Sequence, residues 1–314
     1  MTVVSTARRR AAEGFRHEAV IYHGLSGLVD MVLPFVREGI ERHEPVMVAT
    51  LPDRIEALEA ALGADAARVS FTNMLEIGRN PACIIPVWRD FRAEHAGEVS
   101  VRGVGEPVWA GRRAAELDEC RLHEALLNVA FDDGPRWRLM CPYDADGLPV
   151  EVLSDVMRTH PSVAPELFPQ NYSGHAQALE DFTAPLPPPP RTATVIDFRL
   201  GDLHAVRTTL YRMCEERGLA HATSDDLVLA AHEVATNSIK HGGGHGILRA
   251  WCDPDALVVE VRDSGVISNP MVGRDLESEF SESGRGLWMA NQLCDLVQVR
   301  SAGRGTTVRL YAWL

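Results

Sequence analysis

The stretch Glu233-Val-Ala-Thr-Asn237-Ser-Ile-Lys240-His241-Gly242 decides how the last third of the chain is read. Glu233, Asn237 and His241 recur at every fourth position, the spacing that puts side chains on one face of an α-helix. Leu227, Ala231 and Val234 fall on the other side, where they would pack toward a sheet. A helix is therefore expected over 224–241. A polar stripe on a helix is by itself an ordinary solvated face, and the motifs that follow give this one its weight. They are Asp263-x-Gly265, Gly284-Arg285-Gly286 and Gly305-Thr306. Strands over 193–198, 246–252, 256–262 and 306–311, with helices over 201–217 and 286–295, complete an α+β sandwich of helices on a mostly antiparallel sheet.

These residue types suit a nucleotide. The amide oxygen of Asn237 is a hard donor that fits Mg2+ without adding charge. Gly265 lets the backbone come close to a bound group. Gly284-Arg285-Gly286 before a helix at 286–295 would offer backbone amides at the positive end of a helix dipole, where phosphate is held. A tight turn is the plainer reading of that tripeptide. Lys240, three residues after Asn237, can reach a phosphate or lie solvated at the helix end.

The order and spacing of the four motifs resemble the nucleotide site of the Bergerat-fold (GHKL) ATPases, which include the histidine kinases and the serine-kinase anti-sigma factors. Glu233 to Gly242 and Gly305-Thr-Thr-Val-Arg-Leu310 look most like the anti-sigma-factor serine kinases, over roughly 192–314. The resemblance implies ATP and Mg2+ as cofactors. It makes Asn237 the Mg2+ ligand, Glu233 the base that takes the proton of the attacking hydroxyl, and Asp263 the acceptor for the adenine amino group. Thr306 would bond near Asp263, and Lys240, His241, Gly265, Gly284, Arg285 and Gly286 complete the site. The family pattern Asp-x-Gly-x-Gly has Ile267 at its second glycine, a departure that bears on nucleotide affinity and on a lid expected over 267–283.

A net charge of −13 argues against a general nucleic-acid or anionic-membrane binder, because phosphate contacts need basic surface. Lys240 is the sole lysine, and Gly-x-x-x-x-Gly-Lys-[Ser/Thr] is absent, so there is no P-loop. The six cysteines show neither Cys-x-x-Cys nor a Cys/His zinc spacing. No apolar run reaches the ~20 residues that span a bilayer. The basic start, Met1 to Arg10, lacks the apolar core of a secretory signal. A cytoplasmic protein with reduced thiols is expected.

The proline run Pro185-Leu-Pro-Pro-Pro-Pro190 favours polyproline II and reads as a semi-rigid spacer. It divides the chain into a domain at 1–180, a linker at 181–191 and a domain at 192–314. In the first, strands at 19–22, 46–49, 69–71, 99–101 and 138–141 alternate with helices at 27–42, 52–62, 81–95 and 114–131. Asn80-Pro81 supplies an N-cap and a proline at the first helical position. Such repeats argue a mainly parallel α/β sheet covered on both faces. Phe15-Arg-His17-x-x-x-x-Tyr22, Pro34-Phe-x-x-x-Gly39 with Glu44-Pro-Val46, and Cys141-Pro-Tyr-Asp144 resemble the MEDS sensory domain of methanogens and methylotrophs. That likeness implies a RecA-like architecture without a P-loop. A parallel sheet opens a crevice at the carboxyl ends of its strands. A small ligand is therefore expected there, between Glu106, Tyr143 and Asp144 after the strands and Cys120 and Glu124 on the intervening helix.

The resemblance implies a protein-serine kinase that doubles as an anti-sigma factor, gated by the sensory domain. Its partners would be a sigma factor and an antagonist protein phosphorylated on Ser or Thr, and a homodimer is left open. A non-catalytic ATP-binding sensory module is the alternative. A sensor histidine kinase fits less well, because the place of its phospho-acceptor helix holds the proline run.

Overall fold

The computed structural model describes residues 14–97, 100–132, 136–165, 167–274 and 282–314. It divides into two compact units, 1–178 and 179–314. The start at Met1–Arg10, part of the expected strand at 99–101 and the 275–281 part of the expected lid lie outside the described residues.

In the first unit, six strands form one parallel sheet: β1 (Phe15–Tyr22), β2 (Val46–Thr50), β3 (Val69–Asn73), β4 (Val101–Gly105), β5 (Trp137–Asp144) and β6 (Ser162–Val163), in the order β3-β2-β4-β5-β1-β6. Alternation along the strands feeds both faces. Val20, Val48, Val104 and Met140 face α1 (Gly24–Glu41) and α2 (Pro52–Leu62), whose Val32, Val36 and Leu58 complete that core. Pro52 opens α2 at a position where its missing N–H is no loss.

A short α3 (Met74–Ile77) follows β3. The expected helix at 81–95 is a 3-10 turn at Pro81–Cys83 running into α4 (Ile84–Glu94), with Asn80 Oδ1 capping Ala82 N at 3.1 Å. Gly103 and Gly105 of β4 make room for Trp88 of α4, since a Cβ there would stand 2.8 and 2.9 Å from its ring. Next come α5 (Ala114–Ala130), α6 (Val150–Thr159) and α7 (His175–Thr183). Strand β4 starts two residues and ends four residues later than the sequence pattern suggested.

In the second unit, β7 (Thr194–Phe198), β8 (Gly246–Asp253), β9 (Ala256–Asp263), β10 (Leu296–Ala302) and β11 (Gly305–Trp313) form an antiparallel sheet ordered β10-β11-β9-β8-β7. Its helices are α8 (Leu203–Glu216), α9 (His221–His241) and α10 (Glu282–Leu293). Leu227, Ala231 and Val234 of α9 are buried, as are Leu248, Val259, Val261, Val308 and Leu310 of the strands. On the other face Glu260 pairs with Arg309, Nη2 to Oε2 at 2.6 Å. That guanidinium also donates to the Pro187 carbonyl at 2.7 Å, which ties the proline run to this face of the sheet.

Candidate functional site

Asp263 ends β9 on the sheet face that carries the helices. Its register partner is Thr306, the second residue of β11. Ser238, on α9 one residue after Asn237, donates to Asp263 Oδ2 at 2.6 Å, while Gly265 N donates to Oδ1 at 2.8 Å. Two glycines let this carboxylate sit where it does. A Cβ on Gly242 would fall 2.4 Å from Asp263 Cγ, and one on Gly305 2.0 Å from the Asp263 carbonyl oxygen. Gly305 also has φ +120°, a conformation that side chains strain against. Thr306 Oγ1 donates to the Gly265 carbonyl at 2.8 Å and lies 2.9 Å from Ser301 Oγ, which accepts from Ile267 N at 2.8 Å. Thr306 therefore reaches the Asp263 loop through Gly265.

Glu233 and Asn237 meet the first part of α10. A Cβ on Gly286 would lie 2.7 Å from Asn237 Nδ2 and 3.5 Å from Glu233 Oε2, so the bare glycine brings the two helices together around those side chains. Among the described residues, Asn237 Nδ2 is buried without a hydrogen-bond partner. A half-turn of the amide exchanges its nitrogen and oxygen, so the group can offer a hard oxygen to a cation. An unspent buried amide beside a carboxylate, a bare Cα and a helix start is a donor set that fits Mg2+ and phosphate.

Gly284 and Gly286 are not a loop before the helix, as the sequence suggested. They lie within α10, which begins at Glu282. The helix tolerates them because contact with α9 leaves no room for a side chain at Gly286. The first N–H groups of a helix have no partner inside it, and Gly284 falls in that turn. Arg285, Lys240 and His241 are exposed, the last two in the final turn of α9, where positive charge complements the helix dipole. The described part of the expected lid is tied at Ile267, through Ser301, and at Gly273, whose carbonyl accepts from Asn291 Nδ2 at 2.8 Å. Sequence reasoning missed Ser238, Gly242 and Ser301.

In the first unit, the five residues expected to share one pocket separate. Glu106, just after β4, is fully buried and accepts from Tyr22 Oη at 2.8 Å, from Thr50 and from Arg54. Burial pushes its carboxyl up, against the pull of Arg54, Thr50 and Tyr22. Arg54 also reaches Asp144 at 3.6 Å, so Glu106 and Asp144 do meet at the carboxyl ends of the strands, on one guanidinium. Cys120 Sγ donates to the Pro107 carbonyl at 3.3 Å, and burial pushes its thiol up to about 12. Glu124 and Tyr143 line a cavity of about 260 Å3 with Leu117, Arg121, Asp155 and Thr159, and Glu106, Cys120 and Asp144 are not among its walls.

Glu124 belongs to a second group, beneath that cavity. Its Oε2 is 3.0 Å from His17 Nε2 and 3.3 Å from His160 Nε2, and His17 Nε2 is 3.3 Å from Cys141 Sγ. All four residues are buried. Burial alone would raise the Glu124 carboxyl, but the His160 and His17 imidazoles outweigh it and hold it well below the usual range. No local spacing in the sequence links these residues, which come from β1, α5, β5 and the turn after α6.

Comparison with known proteins agrees with this division. Residues 16–161 match the family described as MEDS, the methanogen/methylotroph, DcmR sensory domain, and residues 196–312 match the histidine kinase-like ATPase domain. A search of curated proteins finds no match. Among the described residues, no helix is long and apolar enough to cross a membrane. The chain thus joins a domain similar to the MEDS sensory family to a domain similar to the histidine kinase-like ATPases.

Proposed function

We propose that this protein is an ATP-dependent protein-serine kinase that also acts as an anti-sigma factor, with its first unit as the sensor that sets its activity. The observation that carries the reading is the meeting of Glu233, Asn237 and Gly286 across α9 and α10, beside an Asp263 already oriented by Ser238 and Gly265. In this reading Asp263 selects adenine through the carboxylate edge that Ser238 and Gly265 leave open. Asn237 holds Mg2+ with its unspent amide, and Glu233 takes the proton from a substrate hydroxyl. Bound Mg2+ supplies neutralisation of phosphate charge, the larger part of the work in phosphoryl transfer. A sigma factor and a small antagonist protein carrying the acceptor Ser or Thr are the partners.

Ile267 favours one competing reading. It replaces the second glycine of the loop, and its backbone N–H is fixed by Ser301. A stiffened loop suits a module that binds ATP without turning it over. Incubation of the full chain with radiolabelled ATP and candidate antagonist proteins separates the two. Label on serine or threonine of the antagonist supports the kinase. Tight Mg-ATP binding with no label supports the binding module, and absence of nucleotide binding overturns both.

A further inference from the structure

The group beneath the cavity of the first unit plays no part in the nucleotide site, and its chemistry is that of a metal centre. His17 Nε2, Glu124 Oε2, Cys141 Sγ and His160 Nε2 all lie within 4.8 Å of one another. Four donors around a tetrahedral zinc, at bonds of about 2.0–2.3 Å, stand roughly 3.3–3.6 Å apart. Three of the six separations, at 3.0, 3.3 and 3.3 Å, already stand near that spacing, and the other three lie within 4.8 Å.

The outer hydrogen bonds decide which ring nitrogen of each histidine is free. Asn128 Nδ2 donates to the Thr159 carbonyl at 2.8 Å and the Glu124 carbonyl at 3.1 Å, so Asn128 turns its oxygen to His17. His17 Nδ1 lies 3.2 Å from that oxygen and therefore carries the ring proton. His160 Nδ1 lies 3.1 Å from the Val156 carbonyl and carries its own proton for the same reason. The Thr159 hydroxyl beside it donates to the Asp155 carbonyl at 3.1 Å and so offers His160 no proton.

In their neutral form both rings turn a bare Nε2 lone pair toward the same carboxylate. The Glu124 carboxylate is only 1% exposed and faces both Nε2 atoms, with the Cys141 thiol and the Tyr143 hydroxyl as its other hydrogen-bonding neighbours. Two lone pairs and a carboxylate facing one another at hydrogen-bond distance repel unless a proton or a metal cation lies between them. Orientation of ligating imidazoles by carbonyl oxygens on the far nitrogen is the usual outer arrangement of a metal centre.

We propose that His17, Glu124, Cys141 and His160 bind one divalent cation of the zinc class. Mixed nitrogen, sulfur and oxygen donors in tetrahedral array select a borderline-soft ion over Mg2+ or Ca2+. The cavity walled by Glu124 and Tyr143 gives the ion, and any small ligand that completes its coordination, a way in. The proposal is independent of the nucleotide reading.

The test uses the untagged full-length chain with Zn2+, and with Co2+ as a spectroscopic substitute. One zinc per chain is expected by elemental analysis, with a tetrahedral cobalt spectrum that includes a thiolate charge-transfer band. Cys141→Ser should abolish that band, and His160→Ala should lose the ion. Asn128→Ala should weaken binding about 10–100-fold, as loss of an orienting partner does. Glu233→Ala should leave uptake unchanged, which keeps the nucleotide site out of the measurement. Two readouts need no variant: zinc should protect Cys141 from alkylation, and a chelator should lower the melting temperature of the first unit. An octahedral cobalt spectrum without the thiolate band overturns the proposal. So does uptake that Cys141→Ser and His160→Ala leave unchanged. Absence of uptake, with Cys141 equally reactive with and without zinc, would mean a protonated imidazole–carboxylate network only.

Discussion

Both oxygens of Asp263 are fixed by the protein, one by Ser238 and the other by Gly265 N. Asp263→Asn keeps the shape and removes the charge. A hydrogen bond to a charged group contributes about 1.5–3 kcal/mol, so ATP should bind roughly 10–150-fold more weakly by calorimetry. Unchanged affinity would mean that Asp263 makes no adenine contact. Glu233→Ala should leave binding intact and cut transfer about 10²–10⁴-fold, the range of a general base; equal loss of binding would show a collapsed helix instead. At this scale the sequence was partly legible. Glu233, Asn237 and Asp263 stand in motifs with fixed spacing, whereas the role of Ser238 depends on where β9 lies against α9. The cluster of His17, Glu124, Cys141 and His160 was illegible for the same reason. Its members are brought together by the order of the parallel strands, and a metal spacing sought along the chain does not find them.

Among the elements, those with strong periodicity were legible and those shaped by packing were not. Pro52–Leu62 was found to the residue because Pro52 marks its start. The start of α10 was misplaced because glycine is a poor helix former, and the close contact with α9 accounts for the glycine at 286. Strand β10, helix α7 and the two-residue β6 carry short patterns that the sequence reading left unassigned, and α6 was missed although its apolar residues follow a helical period. The β10–β11 turn offers a test of how tightly an element fixes the site. Gly305→Ala puts a methyl group against the Asp263 backbone at positive φ, and such strain costs about 1–3 kcal/mol. It should lower both the melting temperature and the ATP affinity. Gly303→Ala, with nothing within 4 Å of its Cβ, should change neither. The tie between α1 and β4 gives a pH test. Glu38 bonds the buried Arg102 at 2.7 Å, which holds its carboxyl below the ordinary 4.5. A depressed acid stabilises the fold above its unfolded value and loses that contribution as pH falls through its folded value. Acid melting of the first unit should thus steepen below about pH 4.5, and less so in Glu38→Gln. An identical acid profile in both proteins would show that Arg102 draws nothing from Glu38.

For the molecule as a whole, each unit has its own sheet and its own core, and among the described residues neither sheet borrows a strand from the other unit. Calorimetry should therefore resolve two unfolding transitions. Mg-ATP at a hundred times its Kd adds about 2.7 kcal/mol to the state that binds it. For a domain of this size that is a rise of roughly 5–15 °C, expected in one transition only. Zinc should move the other. Gating of the second unit by the first adds a requirement, because a coupling free energy is reciprocal. If occupancy of the first unit changes ATP affinity by some factor, ATP must change affinity at the first unit by the same factor. Measuring Mg-ATP binding with and without zinc, then zinc binding with and without a non-hydrolysable ATP analogue, tests this directly. Equal factors above about five would place the coupling in the 1–3 kcal/mol range of allosteric proteins. Factors of one in both directions would leave two ligand sites on one chain with no communication through these ligands, and the sensor would then have to act through the protein partner.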